Sequence, residues 1–193
     1  MEPDEAINAA RDGDAAAFAH VYRSLAPALL RYARGLVGQD AEDVVAEAWL
    51  QIARDIRQFD GGAREFRAWA ARIVRNRGLD HLRSSARRAA RTMPSADLPE
   101  QPTVDDAETS ALEHLSTDAA IELIATLPRD QAEAVLLRTV VGLDAATAGS
   151  VVGKSAGAIR VASHRGLRSL AKRLRGEERN RLVTDPDDGR SRT

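Results

Sequence analysis

The chain has 193 residues, 44% of them hydrophobic and 30% charged, a formal net charge of −1 and no cysteine. That length allows one ordinary domain or two small ones, and the missing thiols exclude a disulfide framework, a zinc ribbon and a cysteine nucleophile. No apolar run reaches the length of a membrane span and the acidic start MEPDEAINAARDGD lacks a signal-peptide core, so a cytoplasmic chain without membrane insertion is expected.

Aromatic residues make up only 4% of the chain. The core must therefore be Ala, Leu, Val and Ile, a mixture that suits helix packed on helix. Asp14 is placed to cap a helix carrying Phe18, Val21, Tyr22 and Leu25 at helical spacing. Pro27 fits the first turn of a second helix, through Leu29, Leu30, Ala33, Leu36 and Val37, that stops near Gly38. Asp40 caps a third, with Glu42 and Asp43 in its first turn and Val45, Trp49, Ile52 and Ile56 on its apolar face. FDGGAR is a turn, and a fourth helix follows with Phe66, Trp69, Ile73 and Leu79 inward. TMPSADLPEQPTVDDAETS is acidic, rich in proline and aperiodic, which reads as a flexible linker. Helical pattern resumes near Asp118 with Ile121, Leu123, Ile124 and Leu127, and Pro128 opens another helix bearing Leu136, Leu137, Val140 and Val141. The expected fold is all-α, two small helical domains over 14–90 and 118–175. An N-terminal segment (1–13), an acidic linker (91–117) and a disordered tail (176–193) complete it.

Charge is distributed in blocks. Between Arg64 and Arg91 arginines dominate, with only Glu65 and Asp80 opposing them. Between Thr92 and Pro128 there is no lysine or arginine, and from Lys154 to Arg175 there is no acid. Such blocks either form solvated helix faces or meet different partners.

The segment TAGSVVGKSAGAIR offers two incompatible readings. Gly153-Lys154-Ser155 ends like a phosphate-binding loop, but the glycine required five residues earlier is Ala148, and no strand precedes it. The other reading is a helix-turn-helix. Asp144 caps LDAATAGSVV, Gly153 makes the turn, Ser155 caps the second helix and Ile159 packs back on the first. Arg160, His164, Arg165, Arg168 and Lys172 give the second helix a basic face suited to DNA. Gly157 costs that helix about 1 kcal/mol relative to Ala, a cost that close approach to a base or phosphate would justify. A plain αα-hairpin with a solvated face is the structural alternative.

Two stretches carry a resemblance. AFAHVYRSLAPALLRYARGLVGQDAEDVVAEAWLQIARDIRQFDGGAREFRAWAARIVRNRGLDHLRS resembles region two of the extracytoplasmic-function (ECF) sigma factors of bacterial RNA polymerase. LIATLPRDQAEAVLLRTVVGLDAATAGSVVGKSAGAIRVASHRGLRSLAKRL is similar to their region four. The resemblance implies a non-enzymatic subunit that joins core RNA polymerase and directs initiation at particular promoters, without catalytic residue, metal or cofactor. It implies that Asp40, Asp43, Glu47 and Gln51 dock on the polymerase. Asp60, Gly61, Arg64, Arg72, Arg75, Asn76 and Arg83 would open and read the minus-ten element, with the Asn76 amide both donating and accepting. Ser155, Ala156, Gly157, Arg160, His164 and Arg165 would read the minus-thirty-five element.

The acidic linker would pass near the RNA path, and an anti-sigma factor is a further partner the resemblance implies. Phe66 and Trp69 read as core and not as stacking platforms. A metal site from Glu42, Asp43 and Glu47, all on one helix without histidine, is the weaker reading of those acids. Ala46, Lys154, Ala162 and Ser163 depart from the family pattern. The competing function is a free-standing helix-turn-helix regulator, which would have no use for an acidic docking helix beside an arginine-rich one.

Overall fold

The computed structural model describes residues 1–92 and 117–183. Among the described residues every regular element is helical: α1 (Pro3–Arg11), α2 (Ala15–Val37), α3 (Ala41–Asp55), α4 (Ala63–Thr92), α5 (Thr117–Ala125), α6 (Arg129–Val135), α7 (Ala145–Val152) and α8 (Ala156–Val183). Short 3-10 turns, Gly38–Asp40 and Ile56–Gln58, flank α3, and a π-helical turn, Leu136–Val140, continues α6. The helices form two lobes. In the first, α1, α3 and α4 pack on α2; in the second, α8 crosses α6 and α7.

The first core is built as the hydrophobic periodicity dictates, from Val21, Leu25 and Leu29 of α2, Val45, Trp49 and Ile52 of α3, and Phe66 and Ile73 of α4. Phe66 and Trp69 cluster with Phe59 at centroid distances of 5.5 Å or less, so they belong to packing. Leu79, expected inward, is only half-buried, while Val74, which the pattern did not single out, is fully buried.

Two boundaries differ from expectation. Pro27 does not open a new helix; it lies inside α2, which runs unbroken from Ala15. An interior proline costs about 3 kcal/mol, while each buried leucine contributes about 1.5–3 kcal/mol. The stripe Ala17, Val21, Leu25, Leu29, Ala33 stays buried on one face through the proline, so packing wins. Asp40 precedes α3 but makes no side-chain cap: its ψ of 8° is not the extended geometry that capping needs. Its carboxylate turns to His81 instead.

The N-terminal segment is also more than a lead-in. In α1, Ala6, Ile7 and Ala10 are buried, and Asp4 Oδ1 accepts the Ala63 N–H at 2.5 Å, capping the start of α4 from another helix. At the other end α8 carries helical backbone to Val183, into the segment expected as tail. Residues 93–116, which hold most of the acidic linker, and residues 184–193 lie outside the described residues.

In the second lobe α8 approaches α6 closely at Gly166, where a Cβ would stand 2.8 Å from Val135 Cγ2 and 3.2 Å from Leu127 Cδ1. The glycine sets that crossing.

Candidate nucleic-acid interface

The helix-turn-helix is assembled by its caps. Asp144 Oδ1 accepts the Ala146 and Thr147 N–H groups at 2.9 and 3.0 Å, starting α7. Gly153 ends α7 in the left-handed region at φ 73°, and Ser155 Oγ accepts the Ala158 N–H at 3.2 Å to start α8. Gly149 lets the turn fold back, since a Cβ there would lie 2.4 Å from the Lys154 carbonyl oxygen. Ile159 is buried against α7, as its place in the sequence requires. Lys154 reaches out of the turn to Asp130 at 2.6 Å, so this departure from the family pattern ties the turn to α6. The lysine hydrogen bond and charge hold the Asp130 carboxyl below its ordinary range.

Ser155, Gly157, Arg160, His164 and Arg165 are exposed along the start of α8, with Ala156 half-buried beside them. A Cβ on Gly157 would meet only Ser155 Oγ, at 3.8 Å. Among the described residues nothing demands that glycine. Ser163 is buried, one heptad on from half-buried Ala156 and so on the same side of α8 as that residue.

The second cluster is on α4. Its arginines Arg64, Arg72 and Arg75 fall within about 80° of one another on a helical wheel. None of the three is free. Arg64 bonds Asp144 Oδ2 and, at 3.0 Å, Thr147 Oγ1. Arg72 donates to the Ser150 carbonyl oxygen at 3.0 Å. Arg75 donates through Nε and Nη2 to the two oxygens of Glu133, at 2.5 and 3.5 Å, and Tyr32 donates its hydroxyl to the same carboxylate at 3.1 Å. The Glu133 side chain is 6% exposed and Arg75 20%.

Burial, then the charge and hydrogen bond of Glu133, push the Tyr32 phenol well above its ordinary range. Desolvation opposes the Arg75 charge, but the hydrogen bond and charge of Glu133 outweigh it and raise its pKa.

Asn76 is exposed, and Arg83 pairs with Asp80 at 2.9 Å on the surface. Asp60 and Gly61 form the turn before α4. Asp60 is almost wholly exposed, 4.0 Å from Arg11, and Gly61 has φ 138°, where a Cβ would also crowd Glu65 and Phe59. The sequence-predicted set thus divides: Arg64, Arg72 and Arg75 bond to the second lobe, Asp60, Asn76 and Arg83 are exposed, and Gly61 is half-buried.

The third cluster lies on the far side of α4. Asp40, Asp43, Glu47 and Gln51 run along one edge of α3, and α4 holds three of them. Arg77 donates twice to Gln51 Oε1, at 3.1 and 2.9 Å, and approaches Glu47 at 3.9 Å; His81 Nε2 lies 2.9 Å from Asp40. Sequence reasoning did not find Arg77, His81 or the exposed Leu50 next to Gln51. The i, i+4 spacing of Arg77 and His81, opposite the acids, was the available signal. Of the acids weighed as a metal site, Glu42 lies 3.6 Å from Arg34 and Glu47 3.9 Å from Arg77.

Known proteins are similar to the chain along both lobes. The Sigma-70 region 2 family matches residues 21–88 and the Sigma-70, region 4 family residues 110–170. The ECF RNA polymerase sigma factor BldN of Streptomyces coelicolor is 34% identical over 189 residues, 96% of this chain and 67% of that protein. The ECF RNA polymerase sigma factor SigD of Mycobacterium tuberculosis is 33% identical over 174 residues, 86% of this chain and 81% of its own length. In fold the chain is similar to the sigma factor RpoE from Bartonella quintana, solved in complex with the anti-sigma factor NepR. That TM-score is 0.67 at 23% identity, covering 82% of this chain and 96% of the other.

Proposed function

The chain belongs to the ECF RNA polymerase sigma factors, and on that premise we propose a division of labour among its residues. As a sigma factor it binds core RNA polymerase and directs initiation at particular promoters. Residues 14–90 form region two and 118–175 region four. Asp40, Asp43, Glu47 and Gln51 dock on the polymerase, with Arg77 and His81 behind them. The turn Asp60-Gly61 and the α4 residues Arg64, Arg72, Arg75, Asn76 and Arg83 take the minus-ten element. Ser155, Ala156, Gly157, Arg160, His164 and Arg165 take the minus-thirty-five element. The chemistry of RNA synthesis stays with the polymerase, in the cytoplasm, and this chain contributes no catalytic group. An anti-sigma factor is a further partner, by likeness to the sigma factor solved with one.

The observation that carries this reading is the exposed row on the first turns of α8, set by Asp144, Gly153 and Ser155, in the same chain as an acidic edge on α3. A duplex reader needs only the first; a polymerase subunit needs both. The test is run-off transcription with core polymerase on pooled promoter fragments. Discrete transcripts that require the chain are expected, and Arg160→Ala removes those that depend on a minus-thirty-five element. Duplex binding without any new transcript would leave a free-standing regulator.

A further inference from the structure

We infer that Asp4, on α1, is a positioning residue for minus-ten recognition: it holds the start of α4 from outside, so that the first helix of the chain aims the turn Asp60-Gly61-Gly62. The inference rests on the assignment of that turn to the minus-ten element, and on three features of its surroundings.

First, α4 has no cap of its own. The first four N–H groups of a helix find no partner within it, and an N-cap side chain ordinarily accepts one or more of them. The Gly62 carbonyl takes the first helical hydrogen bond, from the Phe66 N–H at 2.9 Å, so Gly62 is the N-cap and has no side chain to offer. Half of a capping box is nevertheless present: Glu65, three residues on, accepts the Gly62 N–H through Oε2 at 3.2 Å. The missing half comes from α1, where Asp4 Oδ1 accepts the Ala63 N–H at 2.5 Å. The box is divided between two helices.

Second, the glycine and the aspartate require each other. Gly62 is not among the glycines with positive φ, so its backbone does not call for glycine. Its Cβ would instead meet Asp4 Oδ1, at 2.8 Å. A methyl group there displaces the acceptor and supplies none in return.

Third, α1 is fixed well enough to hold the turn. Ala6, Ile7 and Ala10 are buried, where α1 packs on α2, α4 and the 3-10 turn Ile56–Gln58. Arg11, about two helical turns from Asp4 on the same face, lies 4.0 Å from the Asp60 carboxylate. The two ends of α1 thus meet the two ends of the turn.

The cap is not what makes α4 fold. Phe66, Ala70, Ile73 and Val74 bury that helix in the first core, and packing of this kind outweighs one terminal hydrogen bond. Without the cap it is the first turn of α4, and the residues leading into it, that loosen.

The test is run-off by core polymerase with the full chain, on a promoter recovered from the pooled fragments and on templates with each minus-ten base pair changed in turn. Asp4→Ala is expected to lose preference at the one or two positions that the turn reads, by up to about fivefold, the equivalent of one cap. Preferences elsewhere in the minus-ten element and in the minus-thirty-five element stay. Asp4→Asn restores the lost preference, because an amide oxygen caps as a carboxylate does. Gly62→Ala acts as Asp4→Ala does, and the double variant loses no more than either alone. Hydrogen exchange at the Ala63 amide quickens in Asp4→Ala and returns to the wild-type rate in Asp4→Asn. Circular dichroism checks that each variant is helical.

A uniform fall on every template, with all preferences kept, makes Asp4 a structural residue and overturns the inference. Unchanged preferences in Asp4→Ala and Gly62→Ala overturn it too, as does an Asp4→Asn variant as defective as Asp4→Ala. Failure of the functional reading looks different: the unmodified chain then gives no run-off, or run-off indifferent to every minus-ten change, and the inference falls with it.

Discussion

The two helices proposed to take up DNA are built in contrasting ways. On α8 the start of the helix is set by caps at Asp144 and Ser155, and Arg160, His164 and Arg165 stand exposed beyond them. On α4 the arginines find their acceptors inside the protein, one of them in a pair that is largely buried. A short turn fixed by caps presents its residues ready for use. A long helix carrying a row of guanidinium groups attracts whatever acceptor lies nearest, and here that is the other half of the chain. Basic composition alone does not tell an open surface from an occupied one.

The largest effect that would break this contrast is Arg75→Ala. It leaves the Glu133 carboxylate without its charge partner, held by the Tyr32 hydroxyl alone, and costs the contact between the lobes roughly 3–5 kcal/mol. Hydrogen exchange of the α2 and α6 amides should accelerate together. Arg64→Ala, at an ion pair whose arginine is 65% exposed, should move the same amides by no more than about 1 kcal/mol. Equal effects from the two would mean that the centre of the contact is not at Glu133.

Next in size is Arg160→Ala, which should weaken minus-thirty-five binding by about 1–3 kcal/mol, read by fluorescence anisotropy. A loss that is the same on every duplex would reassign Arg160 from base to phosphate contact. Smaller is Arg77→Ala, which frees Gln51 and Glu47 from α4. Affinity for core polymerase should fall, and the double variant with Gln51→Ala should lose less than the sum, by a coupling of about 0.5 kcal/mol or more. Strict additivity would show that Arg77 does not position Gln51.

The smallest effect concerns Asp144. The backbone and side-chain hydrogen bonds of Thr147, with Arg64 nearby, hold its carboxyl down at about 2. A depressed carboxyl stabilises the fold above its ordinary value and loses that contribution as pH falls toward its folded value. The α7 cap should therefore persist through mild acid and fail only as pH approaches 2, which the NMR shift of the Asp144 carboxyl carbon would follow. Asp144→Asn keeps the cap and drops only the Arg64 charge pair.

Much of this was legible in the sequence, and the residues that were not share a cause. Val45, Trp49, Ile52 and Phe66 reveal their burial by spacing alone, and Asp144, Gly153 and Ser155 reveal their geometry by residue type. These are local facts. Pro27 misleads because its penalty is local while the stripe that overrides it runs the length of α2. Asp40 misleads because a partner forty-one residues away, His81, outweighs a capping role two residues away. Glu133 was silent for the same reason: it lies fifty-eight residues from Arg75 and one hundred and one from Tyr32. Nothing about an isolated glutamate in an apolar helix names the charge it will meet. The α1 helix had a readable signal, with Pro3 at its start, acids in its first turn and Ala6, Ile7 and Ala10 in register; its cap on α4 did not.

The glycine at the crossing of α6 and α8 makes the reading helix a lever. Gly166 is the fulcrum, and the end proposed to meet DNA is eleven residues away at Ser155, an arm of about 16 Å at 1.5 Å per residue. A tilt of about 4° at the fulcrum swings the tip by about 1 Å, enough to spoil a hydrogen bond whose useful range is a few tenths of an ångström. One methyl group at residue 166, far from any base, is thus magnified into a change of aim.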